Sequence, residues 1–240
     1  MLHDANIQIF FSLNWYILLH TAIYCYIQIH TATYCYIILY CALWCYILFH
    51  NAMYCYILLY TASYCYILIY TKYNAIYCYI LLHSAVYCCV LLHTATDCFI
   101  QLYSALYWYI LLYIVIYCYV NLHTATYIYI QVNSAFYTVI YCYILICTAT
   151  YSYILLHTAT YCHLIQYYAL WCYIFFHNAM YCYILLYTAT YSYILLHSSK
   201  YKYILLYTVI YVYILLYTVS YCYILLYNAL RRYILPYTVL

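Results

Sequence analysis

The sequence predicts an all-β extended repeat, solenoid-like or cross-β in character, rather than a unique globular fold. Three features carry this prediction: a ten-residue tandem repeat, a composition rich in strand-forming residues, and a near absence of turn-forming and charged residues. The chain has 240 residues, of which 75% are apolar and 3% charged, with no glycine and one proline, Pro236. Ordinary soluble domains carry about 25% charged residues and build their turns from Gly, Pro, Asn and Asp. That class of protein is therefore excluded.

The repeat covers nearly the whole chain. Residues 14–240 contain about twenty-two copies of Y-C-Y-I-L-L-H-T-A-T, and residues 181–190 are a clear example. Residues 1–13 form a degenerate N-terminal segment that matches the repeat poorly. The repeat changes phase twice, near residues 70–73 and 137–141. Below, each copy is called a decad, and its positions are numbered 1 to 10 from the first Tyr.

The repeat favours strands because Tyr, Ile, Val and Thr are strand-forming residues. Its even length predicts that side chains alternate in the same way from copy to copy. One face is expected to show Tyr, Tyr, Leu, His and Ala, and the other Cys, Ile, Leu, Thr and Thr. Since both faces are largely apolar, we expect a weakly specified register, with the two faces exchanged after the three-residue slip at Tyr73.

A hydrophobic α-helical chain of the membrane type is the alternative fold. Residues 5–71, 73–96, 98–199 and 203–230 contain no Asp, Glu, Lys or Arg, and about 20 apolar residues suffice to span a bilayer. Against it, a ten-residue period drifts around a helix and forms no fixed stripe, and Tyr prefers the membrane interface to its interior. The N-terminus lacks the basic region and the cleavage site of a signal peptide, so none is expected.

The repeat also has a simple origin at the level of DNA. Ten is not a multiple of three, so the ten-nucleotide word TACTGCTACA returns to its reading frame after ten codons. Those codons read Y-C-Y-I-L-L-H-T-A-T, which is the repeat itself. All three forward frames give the same cycle, so an insertion or deletion creates no stop codon. A one-nucleotide change shifts the peptide phase by three or seven residues.

The exceptions to the repeat agree with this origin. At position 3, where TAC encodes Tyr, the exceptions are Cys89, Phe99 and His163. Each of these residues has a codon that differs from TAC by one nucleotide. Position 4, encoded by ATA, departs from Ile in the same single-step way, at Val90, Val120 and Leu164. At these positions the substitutions follow the genetic code more closely than they follow side-chain packing, although Arg231 in place of Tyr needs two nucleotide changes.

The sequence predicts no catalytic, cofactor-binding or metal-binding residues. His20, His30 and His50 each precede a cysteine by five residues, a spacing that does not match the C-x₂₋₄-C and H-x₃₋₅-H patterns of zinc sites. Asp97 lies beside Cys98 and four residues after His93, but it replaces a repeat Tyr and is interpreted as drift rather than as a general acid. Without glycine there is no phosphate-binding loop.

The charged and sulfur-bearing residues suggest no partner either. The five cations do not cluster, so nucleic-acid binding is not expected; they are Lys72, Lys200, Lys202, Arg231 and Arg232. The chain has 17 cysteines, most of them ten residues apart, as in Cys25 and Cys35, with no C-x-x-C pair. Their redox state cannot be read from such a pattern.

The sequence is thus interpreted as a translated ten-nucleotide tandem repeat with no specific biochemical function and no enzymatic activity. A structural, repeat-built β assembly and an integral membrane protein without catalysis are the alternatives. We expect self-association, with lipid as a second partner and no small-molecule substrate. The compartment is not predicted, beyond an insoluble or membrane location for the expressed chain.

Overall fold

Four strands that pair in parallel account for the described chain. The structure is a computed structural model and describes residues 3–70, 75–133 and 139–239. The strands are β1 (His3–Ile9), β2 (Ser12–Ile69), β3 (Ala75–Val132) and β4 (Val139–Val239), in one sheet of order β1-β2-β3-β4. They coil into a β-solenoid of about 11 turns. The prediction of an all-β extended repeat is confirmed.

Each turn of the solenoid contains two decads. Ala5 pairs with Cys25, and aromatic rings twenty residues apart stack, as Tyr34 does on Tyr54 at 4.6 Å. The N–H of Tyr70 donates to the carbonyl of Phe49 at 2.7 Å, linking one turn to the turn before it. We call the half-turn that contains Cys25 half-turn A and the half-turn that contains Cys35 half-turn B.

The core is built from four positions of the decad, except near the two ends, where Trp15 and Cys222 at position 2 are exposed. Cys at position 2, Ile at 4, Leu or Ile at 6 and Ala at 9 are buried, as Cys25, Ile27, Ile29 and Ala32 illustrate. The inward residues thus follow one another at steps of two, two, three and three. The predicted faces are wrong in this respect, since Ala joins Cys and Ile inside while both Thr positions lie outside. Each three-residue step leaves two successive residues facing outward, and there the chain changes direction.

These changes of direction need no glycine. Among the described residues, no backbone φ is positive, so the corners are made within conformations that any residue adopts. A corner side chain contributes as well, since Oγ1 of Thr61 donates to the carbonyl of Tyr40 in the turn before, at 2.8 Å. The lack of Gly and Pro is therefore compatible with a coiled chain.

The phase breaks are met by a change in register. Cys55 pairs with Cys78, twenty-three residues later, and Cys118 pairs with Cys142, twenty-four residues later. Like residues remain opposite one another on both sides of each break. The expected exchange of faces after Tyr73 is therefore wrong, because Cys78 and Ile80 are buried just as Cys55 and Ile57 are. Most of the break positions themselves, 71–74 and 134–138, lie outside the described residues.

The helical alternative finds no support in this fold. Within residues 3–70, 75–133 and 139–239, no helix has the length and apolar character that crossing a membrane requires.

Candidate functional site: the inner and outer ladders

Stacking of equivalent residues converts the decad into ladders that run along the solenoid axis. Outward positions 1, 3 and 7 form ladders of aromatic rings, and inward position 2 forms ladders dominated by thiols. A residue therefore has as neighbours the residues about twenty positions before and after it. We take these ladders as the candidate functional features.

The histidines that precede cysteines belong to different faces from those cysteines. His30 lies at the outer surface and stacks on His50 with ring centroids 4.8 Å apart, whereas Cys35 is buried. His20 stacks on Tyr40 at 5.1 Å. Across the part of the chain that the structure describes, no three His, Cys, Asp or Glu side chains converge to hold a metal ion.

Asp97 and its sequence neighbours are also dispersed. Asp97 occupies outer position 1 and is partly exposed, while Cys98 points inward and is buried. The ring of His93 lies between those of Tyr70, at 4.7 Å, and Tyr113, at 5.3 Å. These three residues thus belong to three separate ladders.

The cations occupy separate places on the solenoid. The ammonium of Lys200 lies 5.9 Å from the ring centroid of Tyr201, and the guanidinium of Arg231 lies 5.6 Å from that of Tyr211. Nε of Arg232 donates to the carbonyl of Ala229 at 3.4 Å. Lys202 points into the core, and Lys72 lies outside the described residues.

Tyrosine ladders cover the outer surface. At position 1 of half-turn A, ring follows ring from Tyr24 to Tyr211, with most of the centroids 4 to 5 Å apart, as for Tyr107 and Tyr127 at 4.9 Å. A second ladder at position 3 runs beside it and includes Tyr129 and Tyr153, 5.0 Å apart. The two ladders flank a groove of ≈ 1040 Å³. Offset stacks at this spacing are favourable contacts.

Position 2 of half-turn B forms an unbroken run of buried thiols, which we call the cysteine ladder. Neighbouring members are opposite each other in the sheet or in thiol–thiol hydrogen-bonding or electrostatic contact. The ladder consists of Cys35, Cys55, Cys78, Cys98, Cys118, Cys142, Cys162 and Cys182. The sequence did not predict it, because these residues are about twenty positions apart and only the coiling brings them together.

Burial and hydrogen bonds between neighbouring thiols together set the pKa values in this ladder. Burial raises the pKa of Cys35 to about 12 and holds the pKa values of Cys55 and Cys162 well above 9.0. Hydrogen bonds from Cys55 and Cys98 act in the opposite direction on Cys78 and lower its pKa. A thiolate in the core is thus stabilised only by its two neighbours along the axis.

Position 2 of half-turn A is more varied, and we call it the mixed ladder. Within the repeat its first four members are cysteines, and the later members include a Trp, an Ile, two Ser and a Val. The ladder consists of Cys25, Cys45, Cys65, Cys88, Trp108, Ile128, Ser152, Cys172, Ser192 and Val212. Across the core, Gln166 accepts hydrogen bonds from Ser152 at 3.4 Å and from the Cys172 thiol at 3.1 Å, while its Nε2 is buried without a partner.

Lys202 follows Cys182 in the cysteine ladder. Its side chain is 4% exposed, and its Nζ is buried without a hydrogen-bond partner. Burial lowers the pKa of this amine to about 8, and the neighbouring Cys182 and Cys222 act in the opposite direction. A buried, unpaired ammonium is costly, so this rung differs in kind from all the others described at this position.

Comparison with known proteins supplies no function. No family model, no curated protein and no solved structure matches the chain.

Proposed function

We propose that this protein is a structural element that associates with further copies of itself through its tyrosine-covered outer surface and carries out no catalytic step. The observation that supports this most is the set of outer aromatic ladders, which leaves many large side chains exposed along the solenoid. Several members of the position 1 ladder are exposed: Tyr24, Trp44, Tyr87, Tyr107 and Tyr127.

Large exposed apolar surfaces drive association. Charge opposes it only weakly here, because the chain has five basic and two acidic residues. Sheets with aromatic side chains in register resemble the surfaces that pack face to face in cross-β assemblies. Tyr adds a hydroxyl to each ring, so two such faces can exchange hydrogen bonds as well as stack.

Sedimentation of the expressed chain at neutral pH without detergent tests this proposal. We expect assemblies far larger than one chain. Association should increase at higher concentrations of a kosmotropic salt such as sulfate, because such salts strengthen the burial of apolar surface. Fibre diffraction of the material is expected to show the strand spacing of about 4.8 Å along the solenoid axis. A single sharp boundary at the monomer mass of 29.2 kDa contradicts the proposal.

A charge variant identifies the surface involved. Lysine at three alternate rungs of one outer ladder, in Tyr107→Lys, Tyr151→Lys and Tyr191→Lys combined, places like charges on the exposed face and is expected to disperse the assemblies. The matched control replaces the same three tyrosines by Phe, which keeps the rings and adds no charge. If the Lys and Phe variants sediment alike, this ladder is not part of the association surface.

We also infer that the chain grew by expansion of the ten-nucleotide word. The single-step exceptions support this origin, and so do the registers of twenty-three and twenty-four residues, since small insertions or deletions in the word produce shifts of this kind. Such an origin is compatible with a structural use of the product. The coding DNA tests it: codons that differ widely between copies while the residues stay constant contradict it.

A further inference from the structure

The cysteine ladder has the geometry of a chain of metal-binding positions. Its eight thiols are stacked on parallel strands, with like residues opposite one another in the described register. Neighbouring strands in a sheet are about 4.8 Å apart. A metal–thiolate bond is about 2.3 Å long for a first-row ion. An ion midway between two rungs therefore reaches both sulfurs at about bonding distance.

This geometry selects the kind of ion. Zinc requires four ligands around one point, and the described residues offer no such convergence. Thiolates instead favour soft ions, and monovalent ions with a filled d shell, Cu(I) and Ag(I), bind two thiolates in a straight line. The side chains around the sulfurs are mainly those of Ile, Leu and Ala, and the buried oxygen-bearing side chains are those of Ser152, Gln166 and Ser192, so thiolates outnumber the harder ligands in the core.

The charge balance points to the same class of ion. Eight thiols with one ion in each of the seven intervals react as 8 RSH + 7 M⁺ → [M₇(SR)₈]⁻ + 8 H⁺, with no change of oxidation state. Each inner sulfur bridges two ions, and one negative charge remains. Lys202 lies next along the ladder from Cys182, with its ammonium buried and unpartnered. It supplies the single positive charge that the chain of ions lacks.

We propose that the cysteine ladder binds a linear chain of monovalent soft ions of the Cu(I) class, one between each pair of neighbouring rungs, with Lys202 as the counter-charge. The four cysteines that begin the mixed ladder, Cys25, Cys45, Cys65 and Cys88, offer three further intervals. The later members of that ladder interrupt it, since Trp108 and Ile128 carry no thiol.

Silver(I) is the probe, because it does not change oxidation state under these conditions. The full chain is refolded with excess Ag⁺, washed with glutathione to strip exposed thiols, and analysed for silver per chain. We expect about ten ions to be retained, seven in the cysteine ladder and three in the mixed ladder, with release of about one proton per ladder thiol. Retention of no silver, or binding that glutathione removes completely, overturns the proposal.

Two variants locate the ions. Cys118→Ala divides the cysteine ladder and removes two intervals, so retention is expected to fall from about ten ions to about eight. Cys41→Ser removes an exposed cysteine outside both ladders and is expected to change nothing. Equal losses in the two variants contradict a ladder site.

Lys202→Met tests the counter-charge. Met nearly preserves the volume of the side chain but removes the ammonium, so silver in the cysteine ladder is expected to be released at about tenfold lower glutathione concentration. Lys200→Met, at an exposed position two residues earlier, is the control. Unchanged release from the Lys202 variant shows that the lysine does not balance the charge of the ions.

Discussion

The two inner ladders occupy equivalent positions of the same repeat, yet they differ in which residues they contain. The cysteine ladder keeps a thiol at eight successive rungs and then places Lys202 in the core. The mixed ladder keeps only four successive thiols before admitting Trp108, Ile128 and Ser152. Both remain buried, and the strands beside them keep their register. Because each turn contacts only its neighbours, stability in such a fold is a sum of local terms, so a substitution at one rung is expected to have a local effect.

The largest effect is expected at Trp108, the bulkiest member of the mixed ladder, which is 3% exposed. Trp108→Ala leaves a cavity in the core and should destabilise its turn by about 3–5 kcal/mol. Trp171→Ala is the matched control, because Trp171 stacks on Tyr191 at 4.0 Å on the outer surface and its loss should cost about 1 kcal/mol. Amide hydrogen exchange in the turns around each Trp measures both. Equal loss of protection contradicts the distinction between inner and outer ladders.

Replacement of Lys202 is expected to have the next largest effect on stability, and it should stabilise the fold rather than destabilise it. The pKa of Lys202 falls from 10.5 to about 8 on folding, so below pH 8 the folded chain holds a buried ammonium, whereas between pH 8 and 10.5 the unfolded chain binds more protons than the folded one. The stability of the native sequence should therefore rise with pH through that window. In metal-free protein, Lys202→Met should stabilise this turn by up to about 3 kcal/mol at pH 7.

Denaturant unfolding as a function of pH measures this effect. The gain of the Lys202→Met variant over the native sequence should shrink as pH rises from 8 and be nearly absent above 10.5. Lys200→Met controls for the loss of one cation from an exposed position. A gain that does not depend on pH indicates better packing rather than removal of a buried charge.

A smaller gain in stability is expected when Gln166 is replaced by Leu. Gln166 is a polar residue at an inward position of half-turn B that is usually Leu. Gln166→Leu removes the unpaired Nε2 but leaves Ser152 and Cys172 without their acceptor. The net stabilisation should be about 1 kcal/mol. The reverse change one turn later, Leu186→Gln, should destabilise by a similar or larger amount. Denaturation midpoints of the two variants test the pair, and shifts of the same sign contradict this account.

The smallest expected effect is a loss of local stability at acidic pH around three stacked histidines. His157, His177 and His197 are successive rungs of an outer ladder, with centroids 6.0 and 4.7 Å apart. Burial, followed by repulsion from His197 and His157, lowers the pKa of His177 below 6.5. Below pH 6.5 the unfolded chain therefore binds protons that the folded chain resists, so local stability should be complete above that pH and decline as the pH falls through the folded pKa.

Replacing the middle histidine tests this acid sensitivity. His177→Tyr should reduce the loss of amide protection around residues 176–178 between pH 7.5 and pH 5. His123→Tyr, which alters a histidine stacked on Tyr103 at 4.9 Å, is the control and should leave that region unchanged. Equal acid sensitivity in the native and His177→Tyr chains excludes the histidine stack as its cause.

Part of this fold could be predicted from the sequence. Strand-forming residues and an even repeat sufficed for the all-β extended class. The repeat alone did not determine that two decads make one turn, since a ten-residue period fits either one or two copies per turn. The inward position of Ala32 and its equivalents was not predicted either. No Gly or Pro marks a corner in the sequence, and strict alternation of side chains places Ala on the same face as Tyr.

The candidate site was less accessible to prediction than the fold. Cysteines ten residues apart suggest no pairing, and Cys35 meets Cys55 only because alternate copies stack. Lys202 could be recognised as a substitution for a repeat cysteine, but its burial depends on which positions face inward. The interpretation of the chain as a translated DNA repeat stays a prediction, as does the absence of enzymatic activity.

Because each turn contains two decads, the composition of the ladders depends on whether copies are gained or lost in even or odd numbers. Gain or loss of two copies lengthens or shortens every ladder by one rung and leaves its composition intact. Gain or loss of one copy rotates all later residues by half a turn, so the second part of the cysteine ladder continues onto the mixed ladder. A single-copy change between Cys98 and Cys118 would therefore place Ile128 and Ser152 in line with the first four thiols of the cysteine ladder. In a repeat that changes length by slippage, the ladders thus persist only in lineages whose copy number changes in pairs.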